Sequence, residues 1–154
     1  MYYSREGVCL AEVLPNFESG AILDIGAEIG VWSMFAAART GAQIHAFEPN
    51  PVAFEVLLAN LEAAGLQSRV LATPVAVSNQ SGVGPLHVHV ADSYMAVTAS
   101  LVHADDMQVY SIPASLTTID EYVEASNLSD VRFIKTGSAF HEYEVLTGAT
   151  LCYP

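Results

Sequence analysis

Apolar residues recur as short unbroken runs, each followed by a polar or glycine turn and then by a stretch with helical spacing. The first run is residues 21–25 (Ala-Ile-Leu-Asp-Ile), the second residues 42–47 and the third residues 69–77. Short runs of this kind read as strands buried on both faces, as in a parallel sheet. Between the first two lies residues 30–39, rich in alanine and carrying Val31, Trp32, Met34 and Phe35. Apolar on most sides, it predicts a buried helix, with Trp32 packing it on the sheet and Gly41 as its C-terminal glycine. Asn50 and Pro51 suit the N-cap and first position of a second helix. Phe54, Leu57, Leu58 and Leu61 give that helix a core stripe at i, i+3, i+4 and i+7, and Gly65 stops it. The β-α-β-α-β order predicts right-handed crossovers.

After Gly82 the pattern changes. Leu86, Val88 and Val90 alternate with His87 and His89, which predicts a half-exposed strand over residues 85–90. Two more strands, residues 95–102 and 107–112, flank an acidic turn at Asp105-Asp106, so an antiparallel insertion is expected here. Thr118 with Glu121 three residues on predicts a capping box and a short helix to Ala125. Residues 131–135 form another buried strand, and a last helix runs from His141 until Gly148 ends it. Ahead of everything, residues 8–14 allow a short helix stopped before Pro15.

Composition narrows the class. The chain has 154 residues, 52% of them hydrophobic, and a mean hydropathy of +0.36, yet no apolar run is long enough to span a bilayer. A single domain with a cytoplasmic address and no signal peptide is expected. The net charge of −12, from 17 acidic and 5 basic residues, argues against nucleic acid as partner. Cys9 and Cys152 match no metal or CxxC spacing and read as free thiols. His87 and His89 alternate on one strand face without a third ligand, so no metal site is expected. His45, inside an apolar strand, reads as a core histidine.

Candidate chemistry sits at the ends of the first two strands. Asp24, Gly26 and Gly30 form an acid–glycine turn into a helix, and Glu48 ends the second strand about 24 residues on. At that position a carboxylate accepts the hydroxyls of a ribose. The dinucleotide fingerprint GxGxxG is absent: aligned on Gly30, its first glycines would fall on Ile25 and Ala27. Asp24 would also face a pyrophosphate, at a cost of about 1–4 kcal/mol for like charges near 4 Å. A phosphate-free, cationic cofactor such as S-adenosylmethionine fits better than a nicotinamide dinucleotide.

The turn Leu23-Asp24-Ile25-Gly26-Ala27-Glu28-Ile29-Gly30 resembles motif I of class I S-adenosylmethionine-dependent methyltransferases. More narrowly, His-Ala-Phe-Glu-Pro-Asn-Pro from His45, residues 75–82, the Thr-Ile-Asp-Glu-Tyr stretch and residues 133–148 resemble, in order, the FkbM family. The resemblance implies a Rossmann-like class I methyltransferase fold, an α/β domain with a mostly parallel sheet. It implies O-methylation of a small hydroxylated acceptor, a sugar or natural product. Asp24 would then support the turn, Gly26 and Gly30 line the methionine end of the cofactor, Glu48 hold the ribose, and Ser78 and Asn79 lie near the adenine.

Three departures from the family follow. Glu28 stands where the family has Asn, adding a charge beside the helix start. The family pattern Ile-Lys-Ile-Asp-Val-Glu-Gly-His-Glu reads here Ile134-Lys135-Thr136-Gly137-Ser138-Ala139-Phe140-His141-Glu142. Both acids of the segment are gone, which leaves His141 as the candidate base. A catalytically impaired relative, working as a cofactor-binding or interaction module, is the alternative. Finally, residues 150–154 leave no room for the family's further C-terminal strands. The strand at 131–135 is then an exposed edge, covered by self-association or marking the chain as a fragment.

Overall fold

Strand β1 (Ala21–Ile25) is buried along its whole length and forms the axis of the structure. The computed structural model describes residues 17–89, 99–101, 109–138 and 141–150. β1 pairs in parallel with β2 (Gln43–Phe47) on one side and with β8 (Val131–Thr136) on the other. β2 in turn pairs with β3 (Val70–Thr73), so the first sheet runs β3-β2-β1-β8, all parallel. Helices α1 (Val31–Arg39) and α2 (Pro51–Ala63) cover one face, and α3 (Ile119–Ala125) and α4 (Glu142–Thr147) the other.

Alternation along β1 explains the two cores. Ile22 points into a cluster with Ala36, Ile44, Leu57 and Leu61. Leu23 and Ile25 point into the opposite cluster with Phe47, Ile119 and Val145. A strand with a buried layer on each side has no polar face, which is why its sequence is nearly all apolar. His45 lies in the second layer, 3% exposed, its Nδ1 2.8 Å from the Tyr122 hydroxyl. Trp32 stacks on Phe133 at 6.0 Å, fixing α1 to β8.

Capping follows the expected chemistry in part. The Asn50 side chain accepts from Val52 N at 3.1 Å with Pro51 at the first helical position. Thr118 Oγ1 accepts from Glu121 N at 3.0 Å. The Glu121 carboxylate does not close the box; it accepts from the Ser81 hydroxyl instead.

Several expectations are corrected. The third strand does not continue to residue 77. It stops at Thr73, because Pro74 has no N–H for the ladder. β4 (Ala76–Val77) then joins a second sheet, parallel to β7 (Val109–Thr117). The core stripe of α2 is Ala53, Leu57 and Leu61, while Leu58 is 46% exposed. Gly41 is no left-handed cap. Helix α1 ends on Thr40 in extended conformation. A Cβ at Gly41 would lie 2.0 Å from the Glu18 carbonyl oxygen, so close backbone approach is what requires glycine there.

The insertion is antiparallel as expected. β5 (Gly82–His89) pairs with β7, and β6 (Ala99–Ser100) pairs with β5, giving the order β4-β7-β5-β6. β7 extends past Pro113 because Pro113 faces Pro85, so both missing donors fall on one rung. His87 Nδ1 lies 2.8 Å from Ser111 Oγ across this pair. The proposed helix at 8–14, the Asp105-Asp106 turn, both cysteines, Ala139 and Phe140 lie outside the described residues, as do most of 95–102 and the start of 107–112. Among the described residues no helix is long and apolar enough to cross a membrane.

Candidate functional site

The C-terminal ends of β1, β2 and β8 meet at one edge of the sheet, and Asp24, Gly26, Glu48 and Lys135 meet there. In open α/β sheets this edge is where ligands sit. Asp24 is 0% exposed. Its Oδ2 accepts from Ser33 Oγ at 2.6 Å, and Lys135 Nζ lies 3.0 Å from its Oδ1. This second contact is an ion pair without an aligned hydrogen bond, since Oδ1 has no hydrogen-bond partner by angle. Lys135 Nζ also donates to Gly26 O at 2.8 Å. One ammonium therefore ties β8 to both the acid and the backbone of the glycine turn.

That arrangement revises the electrostatics read from the sequence. Asp24 does not present a free charge to a ligand, because Lys135 neutralises it and both its oxygens face protein. The turn fails to suit a pyrophosphate for a different reason. Four of its N–H groups already have partners: Gly26 N and Ala27 N bond Phe47 O, Gly30 N bonds Ala27 O, and Glu28 N bonds Glu48 Oε2. Phosphate cradles need such donors unpaired.

Both glycines of the turn have positive φ, 73° at Gly26 and 87° at Gly30. Each also meets protein rather than open space. A Cβ at Gly26 would lie 2.5 Å from Gly137 O, and one at Gly30 would lie 2.4 Å from Leu57 Cδ1. Glu28 carries φ 50°, a left-handed backbone that Asn tolerates better than Glu. Backbone conformation therefore bears on this position as well as charge.

Glu48 is 4% exposed at the end of β2. Oε2 accepts from Glu28 N and Oε1 from Asn50 N, each at 2.8 Å. Burial pushes its carboxyl up to about 7, with the Glu28 charge adding to the rise; the two backbone N–H groups and Lys135 oppose it. A carboxylate has about four acceptor positions, and two remain here. A diol donating two hydrogen bonds fits what is left.

The second group of candidates gathers where β4 ends. Ser78 is buried, and its Oγ lies 2.9 Å from His141 Nε2. His141 stands at the N-cap of α4, with Nδ1 3.5 Å from Glu144 Oε2. Ser78 Oγ also donates to Asn79 Oδ1 at 3.4 Å. Ser78, Asn79 and His141 are therefore one hydrogen-bonded group, which the sequence reading had divided between adenine and acceptor. The loop after β8 abuts the turn of Asp24: Gly137 N donates to Ile25 O at 2.9 Å. It offers the Thr136 and Ser138 hydroxyls, 3.0 Å apart. Lys135 and Glu144 were missed as site residues. A lysine inside an apolar strand, in a chain with five basic residues, was the available signal for a buried counter-charge.

A parallel sheet ordered β3-β2-β1-β8, helices on both faces, and an acid–glycine turn beside a buried strand-end glutamate define the fold as that of the class I methyltransferases. The solved methyltransferase FkbM from Methylobacillus flagellatus KT superposes with a TM-score of 0.52 at 18% identity, covering 86% of this chain and 29% of that one. Residues 24–152 match the Methyltransferase FkbM domain, and the chain belongs to that family. It is 39% identical over 82 residues to the 31-O-demethyl-FK506 methyltransferase FkbM of Streptomyces tacrolimicus, covering 53% of this chain and 28% of the relative. It is also 40% identical over 70 residues to the tRNA1(Val) (adenine(37)-N6)-methyltransferase of Shewanella woodyi, covering 46% of this chain and 29% of that protein. The chain thus spans less than a third of the length of these relatives.

Proposed function

We propose that this chain binds S-adenosylmethionine at the β1–β2–β8 edge and serves methyl transfer to a hydroxyl of a small acceptor. The observation that carries the reading is Glu48, buried at the end of β2 and held by the turn N–H of Glu28 with two acceptor positions left. Ribose hydroxyls fill those positions. The cofactor, when bound, supplies a methyl group on a sulfonium for displacement by an oxygen nucleophile. The chain's own part is to hold the cofactor through Glu48, to keep the turn rigid through Asp24, Gly26 and Gly30, and to take a proton. His141 is the group that takes the acceptor's proton, its Nε2 2.9 Å from Ser78 Oγ and its Nδ1 3.5 Å from Glu144 Oε2.

A small acceptor is favoured over nucleic acid by charge. The chain carries −12, and Arg69 and Arg132 are engaged by Thr40 O, Ala42 O and Asp130. The names of the two curated relatives include both acceptor kinds, so charge decides between them here.

A second reading has its own observation. The described end of β8 presents Thr136 and Ser138 hydroxyls and no carboxylate. In this reading the chain binds cofactor without turnover. Titration calorimetry at pH 8 separates the two when paired with transfer of labelled methyl to polyhydroxylated acceptors. Saturable binding weakened at least tenfold by Glu48→Ala, with labelled product, supports the first. Binding without product supports the second, and no binding at millimolar cofactor refutes both.

A further inference from the structure

The described cations are unevenly placed. Arg39 lies over the Phe35 ring at 5.1 Å. Arg69 donates to Thr40 O and Ala42 O, and Arg132 pairs with Asp130, so both serve the end of the sheet where β1 and β2 begin. Lys135 alone among the described cations stands at the opposite edge, where β1, β2 and β8 end. Its ammonium has three donors. One is donated to Gly26 O; a second faces Asp24 Oδ1 at 3.0 Å as an ion pair without an aligned hydrogen bond. The Lys135 side chain is 24% exposed while that of Asp24 is 0% exposed, so solvent reaches the pair from the lysine side.

Residue 137 bears on the third donor. A Cβ built on Gly137 would lie 3.0 Å from Lys135 Nζ and 3.3 Å from its Cε. Glycine therefore leaves open the flank of the ammonium that any side chain at 137 would close. The family pattern has Asp at this position, a carboxylate attached at that flank. This chain has removed the anion and kept the cation.

From this geometry we infer that Lys135 binds the α-carboxylate at the amino-acid end of the cofactor. The inference rests on the cofactor reading above. The order β2-β1-β8 places Lys135 two strands from Glu48, about 10 Å at the usual strand spacing. Ribose at β2 and carboxylate at β8 then lie on opposite sides of the glycine turn, which runs between them. Lys135 is already fixed by Asp24 and Gly26, so little side-chain freedom is lost when it takes a third partner. Asp24 acts here as a positioning residue, since both its oxygens are occupied.

Calorimetry of the full chain with two ligands tests this. S-Adenosylmethionine carries the amino-acid end; 5′-methylthioadenosine has the same nucleoside without it. The wild type is expected to bind S-adenosylmethionine at least tenfold more tightly. The Asp24→Asn/Lys135→Met double variant strands no buried charge. It is expected to bind the two ligands within twofold of each other. Gly137→Asp, which puts a carboxylate against the Lys135 ammonium while leaving Asp24 and Lys135 in place, is expected to reduce the preference at least fivefold. A preference that persists in both variants overturns the inference, as does parallel loss of both ligands, which would make Lys135 a support for the turn only. A wild type that binds both ligands equally, with Glu48→Ala losing both, overturns the inference and leaves the cofactor reading intact. A wild type that binds neither removes that reading itself.

Discussion

Glu48 makes folding stability depend on pH in a direction opposite to that of most carboxylates. Its pKa rises from 4.5 to about 7 on folding, because burial disfavours the charged form. The folded state therefore holds the proton more tightly than the unfolded state between those values. Stability from this group is full below pH 4.5 and is lost as the pH rises through 7. A shift of this size corresponds to about 3 kcal/mol, at about 1.4 kcal/mol per unit. That is a large part of the 5–15 kcal/mol typical of a domain. Urea unfolding of the wild type and Glu48→Gln at half-unit steps from pH 5 to 8.5 isolates the effect. The variant keeps one acceptor and turns an NH2 against either Glu28 N or Asn50 N, which costs about 1–3 kcal/mol at every pH. The intercepts therefore differ for a trivial reason, and the slopes carry the information. The difference between wild type and variant is expected to change by about 2.5 kcal/mol from pH 5 to 8.5, in favour of the variant at high pH. Parallel profiles would refute a buried, proton-holding Glu48.

Other consequences are checked by the same measurements. Glu28→Asn relieves a left-handed glutamate at φ 50° and removes a charge that raises Glu48, so it should stabilise the fold by about 0.5–1 kcal/mol and move the Glu48 transition to lower pH. Lys135→Met alone leaves Asp24 buried and unpaired and should cost about 3–5 kcal/mol by urea unfolding, most of it recovered by adding Asp24→Asn. The His45 pKa is lowered by burial, so its stability contribution is present above 6.5 and lost as the pH falls below that; His45→Gln should flatten the acid limb of the unfolding profile.

The layout of the first sheet was legible because its signals are local. Five-residue apolar runs, Asn50-Pro51 and Thr118 each act within a few positions, and each fell where expected. The third strand was over-read because apolar Val75, Ala76 and Val77 continue the run, although Pro74 had already broken the ladder. The site was legible only in its strand-end residues. The Lys135–Gly26 contact joins positions 109 apart, and no local pattern encodes it. The charge of Glu28 was legible and its left-handed backbone was not, because a letter reports charge and not φ. Ser78 and His141 were both identified, yet their 2.9 Å contact depends on how β4 and α4 pack against each other.

The central claim is that Glu48 and Lys135 bracket a cofactor across the glycine turn. A crystal structure of the chain with S-adenosylhomocysteine tests it most directly. Both ribose hydroxyls are expected within hydrogen-bond distance of the Glu48 carboxylate, and the amino-acid carboxylate on Lys135 Nζ. A ligand bound away from the β1–β2–β8 edge, or a ribose with no contact to Glu48, would contradict it.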